Sequence, residues 1–178
     1  METTIEKPAV ETQQDCPMTP VEPQKEHAWL QQLVGEWTYE HEARMGPDQP
    51  PMKATGTESV RSVGGLWTIG ESQGAMPDGE PATMIITLGF DPRKGRFVGA
   101  FIGSMMTNLW VYDGGLDAAE RVLTLEADGP SFTDPTATAK YRDSIEIVSQ
   151  DHHILRSAVL GDNGEWHEFM TAHYRRTG

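Results

Sequence analysis

A single cysteine, Cys16, stands among the 178 residues, so no internal disulfide braces the chain. Its neighbours Gln14, Pro17 and Pro20 mark it as an incidental exposed thiol rather than a nucleophile. Basic residues are scarce as well: 14 Lys and Arg face 27 Asp and Glu, for a formal charge of -13. Those cations are scattered, whereas phosphate recognition needs them clustered, so no nucleic acid is expected as a partner. The same balance argues against an anionic membrane surface. No apolar run approaches the roughly 20 residues of a spanning helix. The N-terminus carries no apolar signal core, which predicts a cytoplasmic protein.

Signatures of chemistry are missing too. No Cys-x-x-Cys, His-Glu-x-x-His or calcium-loop spacing occurs, and Gly103-Ser104-Met105 lacks the frame of a nucleophile elbow. Gly64-Gly65 leads into no helix, so it is no phosphate loop. His152 and His153 are adjacent and point to opposite sides of a strand. His167 and His173 share a side but lie about 20 Å apart along it, too far to hold one metal ion.

What is present is turn-forming: 18 Gly and 12 Pro recur at intervals instead of in one tract, as many short strands joined by turns require. Residues 1–23, with Pro8, Pro17, Pro20 and Pro23 amid Glu, Gln and Thr, read as a disordered tail. Residues 24–178 read as one domain. Ala28, Trp29, Leu33 and Val34 fall at helical spacing, which predicts a short amphipathic helix able to plug a barrel end. A strand then alternates with period two: Trp37, Tyr39, His41, Ala43 and Met45 on one side, Glu36, Thr38, Glu40, Glu42 and Arg44 on the other. Further strands are expected at 52–63, 66–73, 82–90, 96–102, 107–112, 121–127, 138–148, 153–160 and 165–175. Asp113-Gly114-Gly115 reads as a turn. None of the connections needs a crossover helix. The predicted fold is all-β, a ten-stranded antiparallel up-and-down barrel with one short N-terminal helix.

Parity assigns several polar residues to the interior. Glu58 shares a face with Ala54, Gly56 and Val60; Glu71 with Trp67 and Ile69; Asp143 with Tyr141, Ile145 and Ile147; and Glu168 with Trp166 and Met170. Closure of the barrel sets the first strand beside the last, bringing Tyr39 and His41 towards Glu168 and Met170. With Trp110 and Glu71 across the cavity and Tyr141 supplying a hydroxyl, Tyr39, His41, Glu71, Trp110, Tyr141, Glu168 and Met170 form the expected ligand-contacting set. A His41–Glu168 pair that merely holds the closure together is the competing reading.

A cavity of aromatics, Met and a few polar groups predicts a protein that binds a small, largely apolar ligand, whose cationic or hydrogen-bond-donating head satisfies the internal carboxylates. Two alternatives stay open: a metal-independent acid-base enzyme of isomerase or cyclase type using cavity His, Glu and Tyr, and a packed barrel acting through its surface. Ile85, Val98, Leu109, Val111 and Phe169 are left facing outward, and burying such a patch across a two-fold axis predicts a homodimer.

His27-Ala28-Trp29-Leu30-Gln31-Gln32-Leu33-Val34-Gly35-Glu36-Trp37, Gly64-Gly65-Leu66-Trp67, Leu88-Gly89-Phe90-Asp91-Pro92 and the closing Tyr174-Arg175-Arg176 together carry a resemblance. From about residue 24 onward the chain resembles a bacterial family known as a domain of unknown function, number fifteen seventy-nine. That resemblance implies a calycin-like (lipocalin-like) barrel, similar in outline to fatty-acid-binding proteins and to the haem-binding nitrobindins, and it implies no activity. A nitrobindin-like barrel would hold iron through one histidine near the C-terminal end, where His167 and His173 lie. Their parity places both towards solvent, so no haem cofactor is expected.

Overall fold

The alternation of the first strand and the even spacing of turns resolve into a closed barrel. The computed structural model of the chain is described over residues 21–44, 50–76, 78–134 and 136–177. Helix α1 (Lys25–Gln31) comes first, and at its start His27 Nδ1 accepts the Gln24 N–H at 2.9 Å, satisfying one of the donors a helix leaves free. Ten strands follow: β1 (Gly35–Ala43), β2 (Met52–Val63), β3 (Trp67–Ala75), β4 (Pro81–Asp91), β5 (Arg96–Gly103), β6 (Trp110–Leu116), β7 (Val122–Pro130), β8 (Thr138–Ser149), β9 (His152–Leu160) and β10 (Trp166–Arg176). Each pairs antiparallel with the next, and β10 returns to β1 with Tyr39 opposite Tyr174 and His41 opposite Ala172. The expected architecture and its closure are what the chain adopts. The tail expected over residues 1–23 lies, up to residue 20, outside the described residues.

One end is sealed by the helix. Trp29, Leu30, Leu33, Trp37, Leu88, Phe97 and Leu123 pack there as a dry apolar cluster, with Leu30 and Leu123 at 0% exposure. Each such side chain contributes about 1.5–3 kcal/mol by leaving water. Polar atoms within the cluster are all spent. Trp37 donates to the Leu33 carbonyl at 2.8 Å, and Trp29 to the Glu120 carbonyl at 2.8 Å. The guanidinium of Arg176 lies over the Trp37 ring at 4.1 Å while donating to the Val34 and Gln32 carbonyls, which ties the last strand to the helix exit. Glu120, at φ 54°, adopts the left-handed region that side chains avoid; its carbonyl meets Trp29 and its carboxylate meets Lys25, and these contacts hold it there.

Two local expectations are corrected. Asp113-Gly114-Gly115 is not a turn but the middle of β6, which ends at Leu116. Gly114 is needed inside a strand because a Cβ there would collide with the Thr124 carbonyl of the neighbouring β7. The second correction is a β-bulge in β10 between Glu168 and Met170. A bulge reverses parity, so Phe169 turns inward and His167, expected towards solvent, falls on the inner parity at the rim opposite Val159, while Glu168 and Trp166 turn outward.

Candidate functional site

Two faces of β3 decide what the interior is. Thr68, Gly70, Ser72 and Gly74 point inward, while Trp67, Ile69, Glu71 and Gln73 point outward. The inner surface is thus small and polar at this strand, and it leaves room. Gly56 and Gly74 form a notch filled by the Tyr39 ring, and Gly70 stands against the carboxylate of Glu58. On β5 the inner face reads Phe97, Gly99, Phe101, Gly103, the alternation of large and absent side chains visible in the sequence.

A row of acids and phenols crosses the barrel above the plug. Glu58 Oε1 accepts from the Ser72 hydroxyl at 3.0 Å. Asp143 accepts from Ser157 at 2.5 Å and from the Tyr112 hydroxyl. The Tyr174 ring stacks on His153 at 4.4 Å, tilts against Tyr39 at 5.4 Å, and its phenol feels the charges of both Glu58 and Asp143. Burial is the leading cause of every shift here. It pushes Glu58 up to about 7, against the Ser72 hydrogen bond that favours the ionised form, and it raises Asp143. It also raises Tyr39, Tyr112 and Tyr174, and lowers His153 to about 3, which keeps that imidazole neutral.

Among the described residues, the buried Tyr174 hydroxyl and Oε2 of the buried Glu58 have no hydrogen-bond partner. His153 Nδ1 is sealed and unpartnered. The inward-facing Met84, Ile86, Phe101, Trp110 and Leu155 pack against the core yet are only half-buried, as is Asp143. Inward side chains that keep accessible surface border an accessible space. At the end opposite the helix, Trp110, Phe132, Tyr141 and Phe169 form an aromatic cluster along one side of the opening, in edge-to-face contacts of 4.8–5.4 Å. Tyr141 is fixed by donating to the Pro130 carbonyl at 2.5 Å, and Trp110 lies over Gly129, where a Cβ would strike its ring.

Of the residues expected from the sequence, Tyr39 lines the interior and His41 stacks parallel on it at 6.0 Å, half-buried, its pKa lowered by desolvation. Trp110 and Tyr141 stand at the mouth, and Met170 faces inward beside Ser157. Glu71 and Glu168 do not face the barrel interior. Glu71 is exposed on the outer wall and accepts from Gln73 at 3.0 Å. Glu168 is turned outward by the bulge and accepts from Thr171 at 2.6 Å, so the expected His41–Glu168 pair does not form. Ser72, Ser157 and Tyr112 were not expected. Their signal was the small, polar parity of β3 and the two-residue spacing of Tyr112 from Trp110.

A separate open groove of about 500 Å³ crosses the rim at β1, β2 and β10 and brings together three of the expected residues, His41, Glu168 and Met170, with Phe169 beside them. Its cations are already engaged, since Arg44 and Lys53 both pair with Glu42. His167 hydrogen-bonds Asn163 on the rim, and His173 stacks on His152 on the outer wall. His167 is exposed at that rim, and His153 is clamped between Trp37 and Tyr174 with Nδ1 enclosed. No group of three or more His, Cys, Asp or Glu placed to hold a metal occurs among the described residues.

No curated protein matches the chain. Solved structures do. The S-type phycobiliprotein lyase CpeS of Guillardia theta aligns with a TM-score of 0.60 at 11% identity, over 86% of this chain and 93% of that one. Rv2717c of M. tuberculosis aligns at 0.55 and 16% identity, over 84% and 95%. Identities this low establish a shared barrel fold only. Residues 22–176 match a family described as "Protein of unknown function (DUF1579)", and since the match spans nearly the whole chain, the protein belongs to that family.

Proposed function

We propose that the barrel binds a small, largely apolar molecule, admitted past the cluster of Trp110, Phe132, Tyr141 and Phe169 and held with its polar end at Glu58, Asp143 and Tyr174. The observation that carries this reading is the pair of unspent polar atoms, Tyr174 Oη and Glu58 Oε2, set among half-buried apolar side chains. A merely structural core satisfies its buried polar groups internally, whereas a binding site leaves a few for its ligand. Tyr39, His41 and Met170 complete the wall. Native mass spectrometry of the freshly purified protein tests the reading. A retained small molecule lost in Tyr174→Phe supports it, and a protein that neither retains nor takes up any apolar probe contradicts it.

Glu58 favours a second reading. A carboxyl titrating near 7 is matched to proton transfer at neutral pH, as a metal-free isomerase or cyclase needs. Turnover of the retained molecule, abolished in Glu58→Gln with binding preserved, would separate catalysis from storage.

The chain is read as a cytoplasmic homodimer. No helix among the described residues is long and apolar enough to cross a membrane. Ile85, Val98, Leu109 and Val111 lie on the outer wall of β4 to β6 and its flanking loop, joined by Trp67 and Ile102, with Leu109 at 56% and Val111 at 62% exposure. Phe169, expected in this patch, is inside. In a protein of charge -13 a charge-poor face is where a second copy docks without opposing like charges. Light scattering at micromolar concentration should give twice the chain mass, and Val111→Glu should halve it; a monomeric wild type contradicts the dimer.

A further inference from the structure

The interior polar row is one-sided in charge. Among the described residues, Glu58 and Asp143 receive hydrogen bonds only from the neutral hydroxyls of Ser72, Ser157 and Tyr112. The cations of the surrounding strands face away: Arg142 pairs with Glu126, Arg156 with Glu146, Arg96 with Asp113 and Lys140 with Asp128 on the outer wall. Arg176 is committed to the Trp37 ring and two carbonyls at the plug. An anionic head group would meet two carboxylates and no counter-charge, so a fatty acid or any other carboxylate ligand is the wrong chemistry for this cavity.

We propose that the cavity selects a cationic amphiphile, an ammonium or amidinium nitrogen on an apolar body, seating the nitrogen between Glu58 and Asp143 and displacing a proton from Glu58 as it binds. The inference rests on the ligand-binding reading above and narrows it. Glu58 Oε2 is an acceptor without a donor, which an N–H-bearing cation supplies, and the Tyr174 hydroxyl beside it can accept a second N–H. Around Glu58 stand Trp37 and Tyr39 from β1, Gly70 and Ser72 from β3 and Tyr174 from β10, whose phenol also feels Asp143 of β8. None of these groups is a cation, and burial raises the pKa of Asp143 as it does that of Glu58. The exchange balances: a protonated Glu58 carboxyl and the ammonium become a carboxylate–ammonium pair, and one proton passes to the buffer.

The test is calorimetry with dodecylammonium, 1-dodecanol and dodecanoate below their aggregation concentrations, each in two buffers of different ionisation enthalpy. At pH 7.5 dodecylammonium should bind at least ten-fold more tightly than dodecanol, and dodecanoate most weakly. Its affinity should rise up to ten-fold per pH unit below 7 and level off above, with protons released on the lower limb, while dodecanol stays flat. Glu58→Gln should bring dodecylammonium down to the level of dodecanol. Glu71→Gln and Glu168→Gln, on the outer wall, should leave the preference intact. Equal affinity for dodecanol, tighter binding of dodecanoate, or an equal loss in the outer-wall variants overturns the cationic head while leaving ligand binding standing. If none of the three binds, the ligand-binding reading itself fails. Should Glu58→Gln not fold, the wild-type pH profile decides alone.

Discussion

The two halves of this barrel are made from the same alternating strands and obey opposite rules. At the helix end, Trp29, Leu30, Leu33, Trp37 and Phe97 exclude water, and every indole N–H there has a carbonyl. Towards the mouth, inward residues are half-buried, polar, or glycine, and two polar atoms are left without partners among the described residues. The plug half is where stability is built, and the other half gives some of it up to hold an accessible polar space. Burying Glu58 and Asp143 without cations costs free energy that a purely structural core would not spend.

The largest effect should come from the plug. Leu30→Ala, at 0% exposure, should lose about 3–5 kcal/mol in urea unfolding, while Ile86→Ala in the cavity wall should lose under about 2, because a space already adjoins it. Similar losses at the two sites would erase the distinction.

The next effect is pH-dependent and comes from Glu58. Its folded pKa of about 7 lies above its unfolded value of 4.5, so the folded state holds a proton that the unfolded state has released. Stability therefore falls as pH rises from about 4.5 to 7. Relative to wild type, Glu58→Gln should gain about 3 kcal/mol across that interval and nothing further below it. His153 runs the other way: lowered to about 3, it weakens the fold as pH falls below 6.5, and His153→Phe should flatten the acid limb. Unfolding curves from pH 4 to 9 check both signs.

The aromatic cluster at the mouth should be nearly silent for stability. Phe132, 47% exposed, should cost under about 1 kcal/mol when changed to Ala, while speeding probe entry in stopped-flow fluorescence. Smallest of all, Glu71→Gln and Glu168→Gln should change stability by less than about 0.5 kcal/mol and leave cavity binding untouched.

The plug half was the legible one. Trp37 inward with Leu33 beside it, the helix before it, and the closure of β1 on β10 all followed from period-two alternation, because a dry core rewards apolar parity. The cavity half broke the same rule. On β3, Trp67 and Ile69 are the apolar residues and face out, since a wet interior is lined by Thr68, Gly70, Ser72 and Gly74 while the outer wall carries an apolar patch. Reading parity from hydrophobicity therefore placed Glu71 inside. Glu168 was misplaced for a different reason: nothing in Glu168-Phe169-Met170 announces the bulge that reverses β10. Glu58 and Asp143 were placed correctly because their strands keep apolar neighbours on the inner face.

The contrast between the halves is tested most directly by amide and methyl NMR of the protein titrated with 1-dodecanol. The account predicts shifts confined to Tyr39, Glu58, Ile86, Phe101, Tyr112, Asp143 and Tyr174, with Leu30, Leu33 and Leu123 unmoved. Shifts centred on Val111 and Ile102 of the outer wall, or spread through the plug, would contradict it.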